Sequence, residues 1–229
     1  SGADIANLAN EAAILSVRNN NSYITNNDIY GAFEKKTIGL PVSKDTRSNG
    51  VINLVSAHEI GHALTAYYFN DLFNIQKVTI NSNRNGAGGY TLFIPKDEYE
   101  MFPTKKFMLA NLIISLGGRA AEEILFKNIN NSSVYLNEVI FQNIGNLDVT
   151  TGATNDLKQA NSIARNYISL YGLGRNIALY DSDNTEQPFL GRQMATGGGS
   201  KLSEYVKGNI DKEVDDLVNW AYTSALHII

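Results

Sequence analysis

The 229-residue chain contains no cysteine. That absence excludes disulfides, thiol catalysis and every zinc site built on sulfur, so any metal must be held by histidine and carboxylate. Histidine is also scarce: there are three, His58, His62 and His227. No apolar run approaches the roughly 20 residues of a membrane-spanning helix, and no signal peptide opens the chain. A membrane link is therefore expected only through segments outside this sequence. A P-loop is missing as well, because the glycine cluster Gly86 to Gly89 has no Lys-Ser/Thr after it, so ATP hydrolysis is not expected. Nor is there an excess of positive charge. A net charge of −4 offers no field to gather phosphates, which argues against a nucleic-acid partner.

What is present suits a folded protein, with 43% hydrophobic and 18% charged residues. The length allows one good-sized domain, or one domain plus a fragment of another. Ser1 and Asp4 make a capping-box-like start, followed by Ile5, Leu8, Ala9 and Ala12 at helical spacing. Thr25 to Asp28 repeats that start before a short helix ending near Lys36. Pro41 and the polar residues through Asn49 read as a linker, placing a domain boundary between residues 1–40 and 41–229.

Beyond it, Val51 to Phe69 reads as a helix. Ile75 to Ile80 and Tyr90 to Ile94 read as strands around the Gly/Asn-rich Ser82 to Gly89. Lys105 to Phe126 is a long helix, and Lys127 to Thr150 a long polar connection. Leu157, Ala160, Ala164, Tyr167, Ile168 and Tyr171 mark a helix stopped at Gly172. Val206, Ile210, Val214, Leu217 and Ala221 mark the last helix. Gly197-Gly198-Gly199-Ser200 reads as a flexible linker of the kind used in loop replacement. The expected fold class is mainly α with a small β-sheet (α+β).

The strongest chemical signal is His58-Glu59-Ile60-Gly61-His62. On a helix, residues i and i+4 lie on one face, so both imidazoles can point at one ion. Glu59 then sits beside the open metal position, near enough to take a proton from a water whose pKa zinc lowers towards about 7. The bland alternative is a chance pairing on a surface helix. With so few histidines, and glutamate in the required place, the metal reading is preferred.

A catalytic zinc needs a third protein ligand. His227 lies near the far end of the sequence, which argues against a third-histidine peptidase and leaves carboxylates. One candidate is Glu122 or Glu123, in Gly117-Gly118-Arg119-Ala120-Ala121-Glu122-Glu123. The other is Asp156, at the start of a helix. Spacing does not choose between them, and each also fits a solvated or capping acid.

The stretches HEIGHAL, GGRAAEEI, TTGATNDLKQA, FLGRQM and IDKEVDDLV occur here in the order found in FtsH-family metalloproteases. The opening SGADIANLANEAA resembles the end of that family's AAA+ lid, where its Gly-Ala pair lies near the nucleotide. The resemblance implies a helical zinc metallopeptidase domain, carrying its metal motif on a helix, after the last part of a lid. It implies Zn2+ as cofactor, with ATP used by domains outside this sequence. Asp156 would be the third zinc ligand, and Glu122 would lie close to the metal, orienting a ligand.

Tyr90, Thr91, Leu92 and Phe93 resemble the family's edge strand beside the zinc, to which a substrate backbone can add. An ordinary half-buried strand is the alternative. The implied activity is endopeptidase cleavage of unfolded or damaged polypeptides within a membrane-associated homo-oligomer, a hexameric ring. Its setting would be the bacterial inner membrane, a mitochondrion or a plastid. The Lys127 to Thr150 connection is longer than the family pattern, placing an insertion at the site or the rim. Two rivals are a stand-alone zinc peptidase with a glutamate ligand, and a chaperone-like module without catalysis.

Overall fold

The computed structural model describes residues 1–37, 39, 42, 45–83, 86–131, 148–175 and 204–229, with the side chains of 127–131 and 204 left aside. The FLGRQM stretch, the Gly197 to Ser200 run and most of the Lys127 to Thr150 connection lie outside the described residues.

Helix α1 (Gly2–Arg18) starts as its sequence demands. The Ser1 hydroxyl accepts from the Asp4 N–H while the Asp4 carboxylate accepts from the Ser1 amino group. Helix α2 (Asn26–Thr37) starts on a denser version of the same device. The buried Asp28 carboxylate accepts from the Thr25 hydroxyl at 2.6 Å, the Thr25 N–H, and the Asn19 and Asn21 side chains. Thr25 chiefly holds this acid down at about 2.

The two helices pack against each other, burying Ala12, Ser16 and Ala32. Of the α1 residues expected on a buried face, only Ala12 is enclosed, and Ile5 is 70% exposed. Among the described residues the helix packs chiefly on α2, and Ile5, Ile14 and Val17 stay exposed.

Helix α3 (Asn49–Tyr68), capped by Ser48, carries the histidine pair. Strands β1 (Phe73–Thr79) and β2 (Tyr90–Pro95) form an antiparallel pair, Thr79 opposite Tyr90 and Phe73 opposite Pro95, with an irregularity between Ile75 and Lys77. The Lys96 N–H donates to Leu72 O at 3.0 Å, which fixes the ladder. Backbone groups alternate along a strand, so the N–H groups of Ile94, Leu92 and Tyr90 turn towards β1. Those of Phe93 and Thr91 turn to the other edge, where no described strand pairs.

The short helix α4 (Asp97–Met101), which the sequence reading lacked, leads to α5 (Lys105–Asn131). The last turns of α5 run past Phe126, so the first residues of the expected connection are helical.

After one 3₁₀ turn (Thr151–Ala153), helix α6 (Thr154–Arg165) continues into a π-helical turn (Asn166–Leu170). It stops where Gly172 takes a φ of 59°, a backbone that favours glycine. Helix α7 (Glu204–Ile228) closes the described chain.

One core lies between α5, α6 and α7, around Leu112, Leu116, Ala160, Ala164, Ile168 and Val214. Leu157, expected in it, is 38% exposed, because the first turn of α6 stands at the cleft rather than in the core. Tyr171 is exposed too. A second core joins the end of α3 to the sheet and the start of α5, through Ala66, Leu72, Phe73, Phe107 and Ile114. The fold is mainly helical with a small two-stranded sheet, as expected.

Candidate metal centre

Helices α3 and α5 come together at glycine. A Cβ on Gly61 would lie 2.3 Å from Gly117 O, and one on Gly117 would lie 2.6 Å from Gly61 O. No side chain larger than hydrogen fits, so the two backbones meet directly. Gly118 faces the histidines: a Cβ there would stand 2.5 Å from His58 Cε1 and 2.6 Å from the Nε2 of both His58 and His62. The glycine pair is therefore the floor of the site. The sequence offered a signal for it. Adjacent glycines inside an apolar helix cost about 1 kcal/mol each against alanine, so close approach is the natural reason to keep them.

Each imidazole is fixed from behind. His62 Nδ1 lies 2.8 Å from the carbonyl oxygen of Ile114, which only accepts, so Nδ1 must carry the proton and Nε2 the lone pair. His58 Nδ1 lies 2.7 Å from Glu122 Oε1. Glu122 is almost wholly buried, and its other oxygen accepts from the Thr150 N–H at 2.9 Å and the Thr150 hydroxyl at 3.2 Å. Arg119 reaches Thr150 O at 3.2 Å, tying the loop before α6 to α5.

In front of the imidazoles, Asp156 Oδ2 stands 3.2 Å from His58 Nε2 and 3.5 Å from His62 Nε2, and the two Nε2 atoms are 3.2 Å apart. Asp156 lies in the first turn of α6, where the helix end favours a carboxylate. With both Nδ1 atoms turned to acceptors, the two Nε2 atoms and Asp156 Oδ2 face one another, an arrangement suited to sharing a cation. Its size fits. Ligand atoms at about 2.0–2.1 Å from a tetrahedral zinc lie roughly 3.3–3.4 Å apart, and the three edges here are 3.2, 3.2 and 3.5 Å. Among the described residues, these three form the group that could hold a metal.

Burial presses the His58 imidazole down, but Asp156 and Glu122 outweigh it and raise it to about 9. Burial pushes Asp156 up, and hydrogen bonds from His58 and His62 outweigh that, holding it at about 2. Glu122 is held below the usual range by His58 and Thr150 against its own burial.

Glu59 lies next to this trio and is buried. Burial raises its carboxyl above the usual range, against the hydrogen bond from Thr91 and the nearby imidazoles. The Thr91 hydroxyl lies 2.8 Å from Glu59 Oε2 and 3.0 Å from the Glu59 carbonyl oxygen. Gly89 closes over the same side chain, since a Cβ there would fall 2.9 Å from Glu59 Cγ. Arg47 fixes that wall from outside, donating to Gly88 O and Ile80 O at 2.6 Å each. The result is a cleft of about 570 Å³ with Glu59 on one side, Asp156 on the other and β2 along its wall.

The remaining candidates fall elsewhere. Glu123 turns away to pair with Arg119 at 3.4 Å. His227 sits in the last turn of α7, its Nδ1 2.6 Å from Thr223 O. Tyr90 and Phe93 line the cleft, although the Tyr90 hydroxyl donates to Glu34 at 3.0 Å and Phe93 packs edge-on to Phe73. The sequence reading missed the side-chain contact of Thr91 and the loop anchor Thr150.

The model of peptidase family M41 matches residues 47–134 and 135–229. An ATP-dependent zinc metalloprotease FtsH from Trieres chinensis is 35% identical over 233 residues, covering 100% of this chain and 32% of that protein. Proteins of the same name from Chloroflexus aggregans and a Synechococcus strain are 36% and 37% identical, again over 100% of this chain and 32% and 33% of their own lengths. The chain thus spans about a third of these relatives. Matched by that family's model over both halves of residues 47–229, and aligned throughout with zinc metalloproteases, this chain belongs to peptidase family M41.

Proposed function

We propose that the chain is the peptidase part of an ATP-dependent zinc endopeptidase, in which His58, His62 and Asp156 hold Zn2+ and Glu59 is the general base. The observation that carries this is the trio of lone-pair atoms with tetrahedral spacing beside a buried carboxylate. Zinc bound there would acidify a water and polarise the scissile carbonyl.

The chain's own residues do the rest. Glu59 takes the water's proton on its carboxylate and can return it to the departing amine nitrogen. A carboxyl raised by burial is better suited to both transfers than an exposed one. Glu122 accepts from His58 Nδ1 and so holds Nε2 towards the metal, and Ile114 O does the same for His62. Glu122 is behind the imidazole rather than among the three facing atoms, which favours Asp156 over the glutamate-ligand rival.

The free edge of β2 presents the N–H and C=O of Thr91 and Phe93 to an extended polypeptide, whose backbone would lie across the cleft. Recognition of backbone suits unfolded substrates of varied sequence. Residues 1–40 are read as the end of an AAA+ lid, and the uncovered apolar face of α1 supports that reading. The ATPase segments, a hexameric ring and attachment to a bacterial or organellar membrane belong to the longer protein. No helix among the described residues is long and apolar enough to cross a membrane.

The test is Glu59→Gln. It should retain zinc and lose peptide hydrolysis by at least the roughly 10²–10⁴-fold typical of general-base catalysis. Hydrolysis within a few-fold of the parent rate, at equal zinc content, would exclude Glu59 as the base.

A further inference from the structure

We infer that Thr91 is a positioning residue for the general base: its hydroxyl fixes Glu59 Oε2, leaving Oε1 to exchange the proton. The inference rests on the zinc-peptidase reading above and adds a residue to it.

A glutamate side chain has three rotatable bonds, and burial alone does not choose among its rotamers. Four contacts do so here. The Thr91 hydroxyl lies within reach of Glu59 Oε2 at 2.8 Å and of the Glu59 carbonyl oxygen at 3.0 Å. One hydroxyl thus bridges the side chain and backbone of the same residue, which restricts the torsions between them. A Cβ on Gly89 would fall 2.9 Å from Glu59 Cγ and 3.0 Å from Oε1, so the Gly89 backbone borders the side chain on that face. The neighbouring Gly88 carbonyl is held in turn by Arg47 at 2.6 Å.

Glu59 lines the cleft, and its Oε1 receives no hydrogen bond from a described residue. The two oxygens are thereby made unequal: Oε2 is engaged by Thr91 and Oε1 is available.

The strand explains how Thr91 reaches this place. Val78 lies opposite it across the sheet, and its N–H faces the free edge. Its side chain stands roughly perpendicular to the strand, over α3. One residue can therefore offer its backbone to a substrate and its hydroxyl to the base. That couples the position of bound polypeptide to the position of Glu59.

A hydroxyl that only filled space would be replaced without loss by a methyl of the same shape. The test therefore compares Thr91→Val, which removes the hydroxyl, with Thr91→Ser, which keeps it, in the zinc-loaded chain. Glu59→Gln serves as reference. With zinc content and melting temperature matched, Thr91→Val should lower kcat by about 10–100-fold, the scale of misplacing a reacting group, and move KM by less than about 3-fold. Thr91→Ser should stay within about 3-fold of the parent in both.

A second measurement does not depend on turnover. A peptidyl hydroxamate chelates zinc and shares its hydroxyl proton with the base, so its Kd by calorimetry reports where the Glu59 carboxylate lies. Thr91→Val should weaken it about 10-fold in the parent chain and have no further effect in the Glu59→Gln background.

If Thr91→Val leaves kcat and hydroxamate affinity unchanged, the inference is wrong. It is equally wrong if the affinity loss persists in the Glu59→Gln background, because Thr91 then acts by another route. Should Glu59→Gln itself keep full hydrolysis, the assignment of the base fails instead, and the two failures remain distinct. Thr91→Ala replaces Thr91→Val in the same comparison if the valine form does not fold.

Discussion

Asp156, half-buried, and Glu122, buried, both meet His58, but at opposite ring nitrogens, which gives them different proposed roles. Asp156 faces Nε2, where both histidines converge; Glu122 faces Nδ1, behind the ring. If the trio holds zinc as proposed, losing Asp156 removes one of its three ligand atoms, whereas losing Glu122 loosens one of the other two. Asp156→Ala is therefore expected to lose both zinc and hydrolysis. Glu122→Ala should retain more metal, with affinity or activity lower by about 10–100-fold. Metal analysis of the two purified variants checks this. A zinc-free Glu122→Ala beside a zinc-replete Asp156→Ala would exchange the two roles. Sequence spacing left this choice open for a physical reason: a helix face constrains residues four apart, but says nothing about which of two distant acids the tertiary fold returns to it.

At the scale of elements, the site is a junction between α3, α5, the start of α6 and β2, and its tightest joint is α3 on α5. Gly118→Ala would put a methyl 2.5–2.6 Å from atoms of both imidazoles. Either the rings turn or the helices part, so zinc affinity should fall at least about 10-fold while the helices still form. Titration with a zinc chelator, alongside helix content by circular dichroism, measures both; parental zinc affinity would mean that the joint is slack. The strand joint allows a different test. Thr91→Pro removes an N–H that faces the free edge, and Thr91→Val is the control for the lost hydroxyl. One backbone hydrogen bond is worth about 0.5–1.5 kcal/mol, so KM should rise about 2–12-fold beyond the valine variant. Equal KM values would remove β2 from substrate binding. Much of this arrangement was legible in the sequence. The helices follow from apolar spacing and capping residues, and the strands from β-branched runs around a glycine-rich turn. What stayed hidden depends on partners. Ile5 and Leu157 have the period of a buried face without a neighbour to bury them. Thr91 reads as a strand residue until the fold places Glu59 beneath it.

At the scale of the whole molecule, the proposed boundary near residue 40 sets the α1–α2 hairpin apart from the residues around the metal trio. Among the described residues, Glu34 ties the α1–α2 hairpin to the sheet, pairing with Lys77 on β1 and accepting from Tyr90 on β2, the residue before Thr91. This is a thin connection of half-exposed groups, of the kind worth about 0–1 kcal/mol per ion pair. It touches the strand beside the base, but brings no phosphate-binding loop with it. The metal trio, base and free strand edge, by contrast, all lie between Asn49 and Asp156 and contain no group that needs a nucleotide. Cleavage of a short, unstructured peptide by the zinc-loaded chain should therefore proceed at the same rate with and without ATP, and the chain should release no phosphate. A folded protein should resist, because a backbone must be extended to add to β2, and nothing in these residues supplies the work of unfolding. An unfolded protein such as reduced, alkylated casein should be cut without ATP. The three substrates, assayed in parallel with phosphate release, separate the chemistry from its fuel. ATP-stimulated peptide cleavage or measurable phosphate release by this chain would show that the division drawn here is in the wrong place.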